Sequence, residues 1–373
     1  MAVMTDRRRR ARPRIATAAT AALAATSLLT LTGCGLFDDE AGGDSAGTSD
    51  GPLDVVASFY PMAFLAERIG GEHVSVSTLT GPGVEPHDLD ISPQQTAQVA
   101  DADVVVYLQG LQPAVDEAIA QSATGEIADV TGFTSLESHE EEAEGEGEHA
   151  DEGNTHDDEH ADEGNAHGDE HADEGHAAED EHADEGHSHD DHGHSHDHDI
   201  DGLDPHIWLD PAKYGQLAMG VAAALTNADP DHMADFEANA TELINELDAL
   251  DAEFTEGLAE FEGDTFITTH SAFGYLAARY GLHEESITGL DPESEPSGAR
   301  MRELREIAEA DGVTTIFFET LVSDETARTL ADDLGLQTAV LDPLEGITEE
   351  SAGADYLEVM RANLAALQTA LGG

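Results

Sequence analysis

The chain has 373 residues, of which 81 are acidic, 14 basic, 20 histidine and one cysteine, giving a formal net charge of −67. That balance excludes nucleic acid as a partner, because phosphate contacts need clustered Lys and Arg, and it argues against anionic lipid surfaces. A single cysteine excludes an intramolecular disulfide framework, a cysteine-rich zinc finger and a CxxC redox site.

Six of the 14 basic residues are Arg7, Arg8, Arg9, Arg10, Arg12 and Arg14. An uncharged run of Ala, Thr and Leu follows at 15–31, then Gly33 and the lone Cys34. A basic head, a short apolar run and small residues at its end describe a secretory signal. Residues 31–34 (LTGC) resemble the lipobox of bacterial lipoproteins, in which the signal is cut before a cysteine that then carries the lipid. The expected organisation is a signal peptide at 1–33, a lipid on Cys34, and a flexible tether at 34–52. The protein is then held at the outer face of a membrane. Whether export follows the general or the twin-arginine route stays open.

Beyond the tether, short apolar strands alternate with helices. Residues 54–59 (DVVASF) read as a strand, 60–69 as a helix, 74–79 as a strand, 93–100 as a helix, 103–108 (DVVVYL) as a buried strand and 111–121 as a helix. This alternation indicates a parallel sheet.

The composition then changes. Residues 137–201 hold 28 acidic residues and 14 of the 20 His, with no Lys or Arg. The repeat EHADEG starts at Glu148, Glu159, Glu170 and Glu181. A segment without large aliphatic residues before Ile200 cannot bury enough apolar surface to offset ordering entropy, so disorder is expected. Dense imidazole and carboxylate groups bind divalent metals at many weak sites; an inert linker that grew by repeat slippage is the alternative.

After this tract, 213–227 reads as a helix. Residues 231–261 read as a longer one, with apolar residues recurring every three or four positions from Met233 to Phe261. Such a helix suits a rod between two domains. The α/β alternation then resumes with a strand at Thr265–Thr268, helices at 272–280 and 300–310, and a strand at 314–318. A helix at Glu325–Leu334, a strand at 337–341 and a helix at 356–371 complete it. The expected fold is α/β, with an N-terminal domain at 53–229, a linking helix at 230–262 and a C-terminal domain at 263–373.

Six His lie outside the tract: His73, His87, His206, His232, His270 and His283. His87, His206 and His270 fall in loops or at strand ends, where α/β sheets place ligands. Glu319 and Asp342 follow strands in the same way. Three imidazoles and one carboxylate would make a four-coordinate site suited to zinc. His73, His232 and His283 read as helix-end or surface residues.

The segments VVASFYPM (55–62), GPGVEPHDLDISP (81–93), DPHIWLDP (204–211), THSAFGYLAARYGL (269–282), FFET (317–320) and LDPL (341–344) together resemble the zinc-uptake solute-binding proteins of ABC transporters, within the zinc/manganese metal-binding lipoprotein family. The resemblance implies a non-enzymatic, monomeric carrier that captures Zn2+ as its transported ligand at a metal site in the cleft between the two domains and delivers it to a permease and its ATPase. The ligands carried over are His87, His206, His270 and Asp342, with Glu85 or water as an alternative fourth ligand and Glu319 beside the site. Manganese-type relatives carry Glu where this chain has His270, which favours zinc. A surface zinc-buffering or adhesin-type lipoprotein and a manganese importer component are the other readings. No HExxH motif occurs, and the GDSAG string at 43–47 falls in the expected tether rather than at a strand-to-helix turn, so no nucleophile elbow supports a hydrolase.

Overall fold

The computed structural model describes residues 51–138, 202–260 and 263–372. The signal, Cys34, most of the tether and all but the first two residues of the His-rich tract lie outside the described residues. No described helix is long and apolar enough to cross a membrane.

The N-terminal lobe is built on β1 (Leu53–Ala57), β2 (Val74–Thr78), β3 (Val104–Tyr107) and β4 (Glu126–Asp129), in the order β2-β1-β3-β4. All neighbouring strands are parallel, with Leu53 opposite Val74 and Val55 opposite Val104. The strand alternation sorts side chains onto two faces. Val55, Ala57, Val104 and Val106 face the cluster that contains α1 (Tyr60–Gly70) and α4 (Pro211–Ala228). Val56, Val105 and Tyr107 face α2 (Pro93–Asp101) and α3 (Pro113–Ser122) through Val99, Val115 and Ile119. Helix starts follow local chemistry. Ser92 and Gln95 form a reciprocal capping box on α2, and Asp210 accepts from Ala212 N–H and Lys213 N–H at the start of α4.

The C-terminal lobe repeats the plan with β5 (Thr265–Thr268), β6 (His283–Ser286), β7 (Thr315–Phe318) and β8 (Gln337–Val340), ordered β6-β5-β7-β8 and again parallel. Ile267 and Ile316 pack against α7 (Arg300–Asp311) and α8 (Glu325–Leu334) through Leu304, Ala308 and Leu330. Phe266 and Phe317 face the other way, toward α6 (Gly274–Tyr280) and α9 (Tyr356–Ala370).

The strands at Glu126–Asp129 and His283–Ser286 carry no apolar run, so the sequence pattern does not reveal them. Both are edge strands, whose pairing is supplied by β3 and β5.

The long helix α5 runs over Met233–Gly257, 25 residues or about 37 Å. It is shorter at both ends than its apolar period suggests. Pro230–His232 forms a separate 3-10 turn capped by Asp229. At the far end Gln368 Nε2 donates to Gly257 C=O at 3.0 Å. A Cβ on Gly257 would meet that nitrogen at 2.8 Å and Leu364 at 3.1 Å, so a larger residue there would displace the Gln368 side chain where α9 crosses the helix.

Nor does α5 stand free as a rod. Phe236, Leu243, Leu247, Leu250 and Phe254 sit in one continuous core that also contains Val55 and Val106 of the first sheet and Phe266 and Phe317 of the second. Aromatic residues stitch the lobes together. The Tyr214 and Tyr356 rings lie 4.5 Å apart, Phe59 meets Trp208 edge-on at 5.0 Å, and Tyr356 Oη donates to Trp208 C=O at 2.6 Å. Trp208 Nε1 in turn donates to Pro343 C=O at 2.7 Å.

A shared core predicts shared unfolding. Leu247→Ala removes a side chain that is 1% exposed and should cost about 2–5 kcal/mol. Urea unfolding followed by Trp208 fluorescence and by far-ultraviolet circular dichroism should give one coincident transition, shifted to lower urea. Two separated transitions would show that the lobes hold themselves up independently.

Candidate metal centre

The carboxyl ends of both sheets point at one cleft, the general location of ligands in open parallel sheets. Four loops meet there. The first leaves β2 and is pinned at its root, where Leu79 N–H donates to Ala57 C=O and Thr80 N–H to Ser58 C=O. Glu85 folds its tip by accepting from His87 N–H at 2.9 Å and Asp88 N–H at 3.3 Å. Those bonds turn His87 inward. The second loop carries His206 into the 3-10 turn Ile207–Leu209. Asp204 Oδ1 accepts from both His206 N–H, at 2.8 Å, and His206 Nδ1, at 2.7 Å. The third follows β5 and presents His270, whose Nδ1 donates to Glu319 Oε1 at 2.6 Å. Glu319 lies directly after β7 and also accepts from the Thr269 hydroxyl.

The fourth loop follows β8 and is a tight turn. Asp342 Oδ1 accepts from Leu344 N–H at 2.8 Å. The Asp342 backbone exchanges two hydrogen bonds with the Asn363 amide, at 2.9 and 2.7 Å. Leu344 is the one described non-glycine residue with positive φ, at 61°, a conformation that persists only where the surroundings over-determine it. The turn delivers Glu345 into the cleft.

The result is a cluster of His87, His206, His270 and Glu345, with one ligand atom from each and all four within 4.8 Å of one another. Glu345 Oε1 lies 3.1 Å from His87 Nε2, 3.3 Å from His206 Nε2 and 3.4 Å from His270 Nε2. His206 Nε2 and His270 Nε2 are 3.2 Å apart. A tetrahedral zinc with ligand bonds near 2.05 Å has edges of about 3.3 Å, so four of the six edges of such a shell are already at that spacing. Glu345 Oε2 is buried and has no hydrogen-bond partner, as suits a carboxylate that faces a cation. The outer nitrogens of His206 and His270 are each held by a carboxylate, which fixes tautomer and ring orientation and raises ligand basicity.

Of the residues expected from sequence, the fold brings His87, His206 and His270 together and leaves Asp342, Glu85 and Glu319 outside the cluster. Asp342 shapes the turn, Glu85 shapes the His87 loop at 3.9 Å from that ring, and Glu319 supports His270. The carboxylate at the cluster is Glu345, three positions past Asp342. The signal for it was the aspartate-proline turn itself: an Asp-Pro start commits its side chain to the backbone two residues on, leaving a later acid to point inward. Asp204 was missed for a similar reason, as the acid that turns the chain just before His206.

Residues 55–370 match the family described as "Zinc-uptake complex component A periplasmic". The chain belongs to this ZnuA family. It is 34% identical over 353 residues to the high-affinity zinc uptake system protein ZnuA of Bacillus subtilis, covering 93% of this chain and 95% of that one. It is 32% identical over 326 residues to the zinc-binding lipoprotein AdcA of Streptococcus pneumoniae, covering 86% of this chain and 56% of AdcA. The chain thus spans about half the length of the streptococcal relatives it matches. Among solved structures, Zn(II)-bound AdcA of Streptococcus pneumoniae matches with a TM-score of 0.62 at 29% identity, covering 87% of this chain and 58% of that one. The laminin-binding protein Lbp of Streptococcus pyogenes matches with a TM-score of 0.63 at 25% identity, covering 86% of this chain and 99% of that one.

Protons take part in holding this ZnuA-family site together when no metal does. Burial opposes a charge on His206, but hydrogen bonds to Asp204 and Glu345 outweigh it and lift its pKa to about 9. Burial likewise opposes charge on His270, and Glu319 and Glu345 raise it well above the ordinary value. Burial pushes Glu345 upward, yet its three imidazole partners hold it well below the usual carboxylate range.

A raised imidazole pKa contributes stability that is fully present below the unfolded value of about 6.5. That contribution is lost as pH rises through the folded value of about 9. The melting temperature of the chelator-treated protein should therefore fall between about pH 7 and about pH 9.5, and zinc should flatten the fall because it takes neutral imidazoles. A metal-free melting temperature that stays level over that range would contradict the assignment.

Proposed function

We propose that this protein is the extracytoplasmic solute-binding component of an ABC metal importer. It captures one Zn2+ through His87, His206, His270 and Glu345 and passes it to a membrane permease driven by an ATPase. The observation that carries the reading is the four-atom cluster, in which four of the six ligand-to-ligand distances match a zinc shell. Three imidazole nitrogens and one carboxylate favour zinc over manganese, which prefers oxygen ligands. Four converging protein ligands also leave no open position of the kind a catalytic zinc keeps for water or substrate. That supports a carrier rather than an enzyme.

Delivery requires the metal to leave again. His206, His270 and Glu345 are buried while the His87 side chain retains 15% exposure. Entry and exit therefore pass the His87 loop. The core shared by the two lobes disfavours wide opening about α5 and assigns release to loop rearrangement. Cleavage before Cys34 and its lipidation would hold the carrier at the outer membrane face beside its permease. A relative named a zinc-binding lipoprotein supports that placement. The similarity to a protein named for laminin binding keeps an adhesin role as a second reading.

Zinc competition titration on the mature chain, with enough chelator present to keep weak sites empty, tests the ligand set. His87→Ala, His206→Ala, His270→Ala and Glu345→Gln should each weaken the tight site by more than the roughly 10–100-fold typical of outer-shell changes. Asp342→Asn should cost less, because asparagine can still accept from Leu344 N–H. Tight zinc that survives the three histidine substitutions together would remove the reading. Equal losses for Asp342→Asn and Glu345→Gln would remove the assignment of the carboxylate.

A further inference from the structure

Tyr275 is not among the clustered ligands, yet it joins the supports of two of them. It is the second residue of α6, five positions after His270, and is 2% exposed. Its hydroxyl donates to Asp204 C=O at 2.9 Å and accepts from Glu137 N–H at 2.7 Å. Asp204 N–H in turn donates to Glu137 C=O at 2.8 Å. Glu137 and Asp204, on either side of the His-rich tract, are thus joined by one closed knot of three hydrogen bonds, with Tyr275 as its cross-lobe member. Lys213 Nζ buttresses the knot from outside. It donates to Glu137 Oε1 at 2.6 Å and to Ser135 C=O at 3.3 Å, and lies 5.2 Å from the Tyr275 ring centroid.

Asp204 is the residue whose carboxylate holds both the backbone and Nδ1 of His206. A shift of the Asp204 backbone therefore moves the His206 ring. The opposite ring, His270, sits on the segment that continues directly into α6 and Tyr275. The 3.2 Å separation of the two buried Nε2 atoms is thus spanned by a second path, from His206 through Asp204 and the Tyr275 hydroxyl to the His270 segment.

We propose that Tyr275 is a positioning residue for the metal site: its hydroxyl locks the His206 and His270 segments together so that these two imidazoles face each other before zinc arrives. The inference rests on the zinc-capture reading. Glu137 is exposed, so its N–H can turn to water once the hydroxyl is gone, whereas Asp204 is 1% exposed and its C=O would lose a partner, at a modest cost in stability. Loss of the hydroxyl should show in ligand geometry more than in the fold.

The test uses the full mature chain with Tyr275→Phe and, separately, Lys213→Met. The phenylalanine keeps the packing and removes only the hydroxyl; the methionine loosens the same knot without touching Asp204. Three quantities are measured: the zinc dissociation constant and off-rate under chelator competition, the visible absorption bands of the first Co2+ equivalent, and the metal-free melting temperature. Tyr275→Phe should weaken zinc about tenfold, mainly through a faster off-rate, and should alter the Co2+ bands, with only a modest fall in the metal-free melting temperature from the unpaired Asp204 C=O. Lys213→Met should move the same readouts in the same direction by less, and it carries the test if the phenylalanine variant does not fold. Unchanged zinc binding in both variants overturns the inference. So does a lowered melting temperature with unchanged Co2+ bands, which would make Tyr275 a fold support only. If the parent chain takes no tight zinc, or keeps it after His206→Ala, the capture reading itself fails. If the parent binds as expected and Tyr275→Phe binds equally well, only the role of Tyr275 falls.

Discussion

A buried carboxylate oxygen within 3.1–3.4 Å of three imidazole nitrogens is the interaction on which the rest of this structure depends. Taking such groups out of water is costly unless opposite charge compensates them. Two kinds of positive charge can do so here, protons on the imidazoles or a divalent cation among them. The carboxylates around His206 and His270 favour their protonated forms, and on the proposed reading one zinc ion would take the place of those protons.

The fold is arranged around that demand. Each ligand arrives on a different loop at the carboxyl ends of two parallel sheets, and each loop is stiffened by an acid that does not itself reach the cluster. Glu85 closes the His87 loop, Asp204 seats His206, Glu319 orients His270, and Asp342 bends the chain that delivers Glu345. A continuous core of Phe59, Phe64, Trp208, Tyr214 and Tyr356 then holds the two sheets in fixed relation. Two lobes sharing one core can preset a four-atom site in a way that two domains on a hinge cannot.

Most of the architecture was legible in the sequence, because buried parallel strands read as apolar runs and their helices as apolar periods. The strands at Glu126–Asp129 and His283–Ser286 were not, since an edge strand borrows its pairing from a neighbour and needs no apolar signal of its own. The three imidazoles were legible because each follows a strand or opens a turn in a distinctive motif. The carboxylate was harder. Asp342 and Glu345 share one short segment, and spacing alone does not say which acid turns inward. That choice is made by the Asp342 bond to Leu344 N–H, by the positive φ of Leu344 and by the clasp from Asn363. The last lies on a helix at the far end of the sequence. The Tyr275 knot was equally out of reach, being made of backbone groups whose partners are distant in the chain.

The acids that shape the loops also bear on which metal the site prefers. Asp204 and Glu319 each draw on the outer nitrogen of a ligating imidazole, which makes the inner nitrogen a stronger donor. Together with Glu345 they place a surplus of negative charge around the ion, so a divalent cation is stabilised beyond what neutral imidazoles alone would provide. This reinforcement favours any nitrogen-loving metal, and by the Irving–Williams order copper gains from it at least as much as zinc. Discrimination must then come from geometry. Four proposed ligands held near tetrahedral spacing by braced loops suit zinc, which has no directional preference of its own. They oppose the flattened arrangement that divalent copper seeks. The bracing of the loops, more than the identity of the ligands, is where this site distinguishes the two.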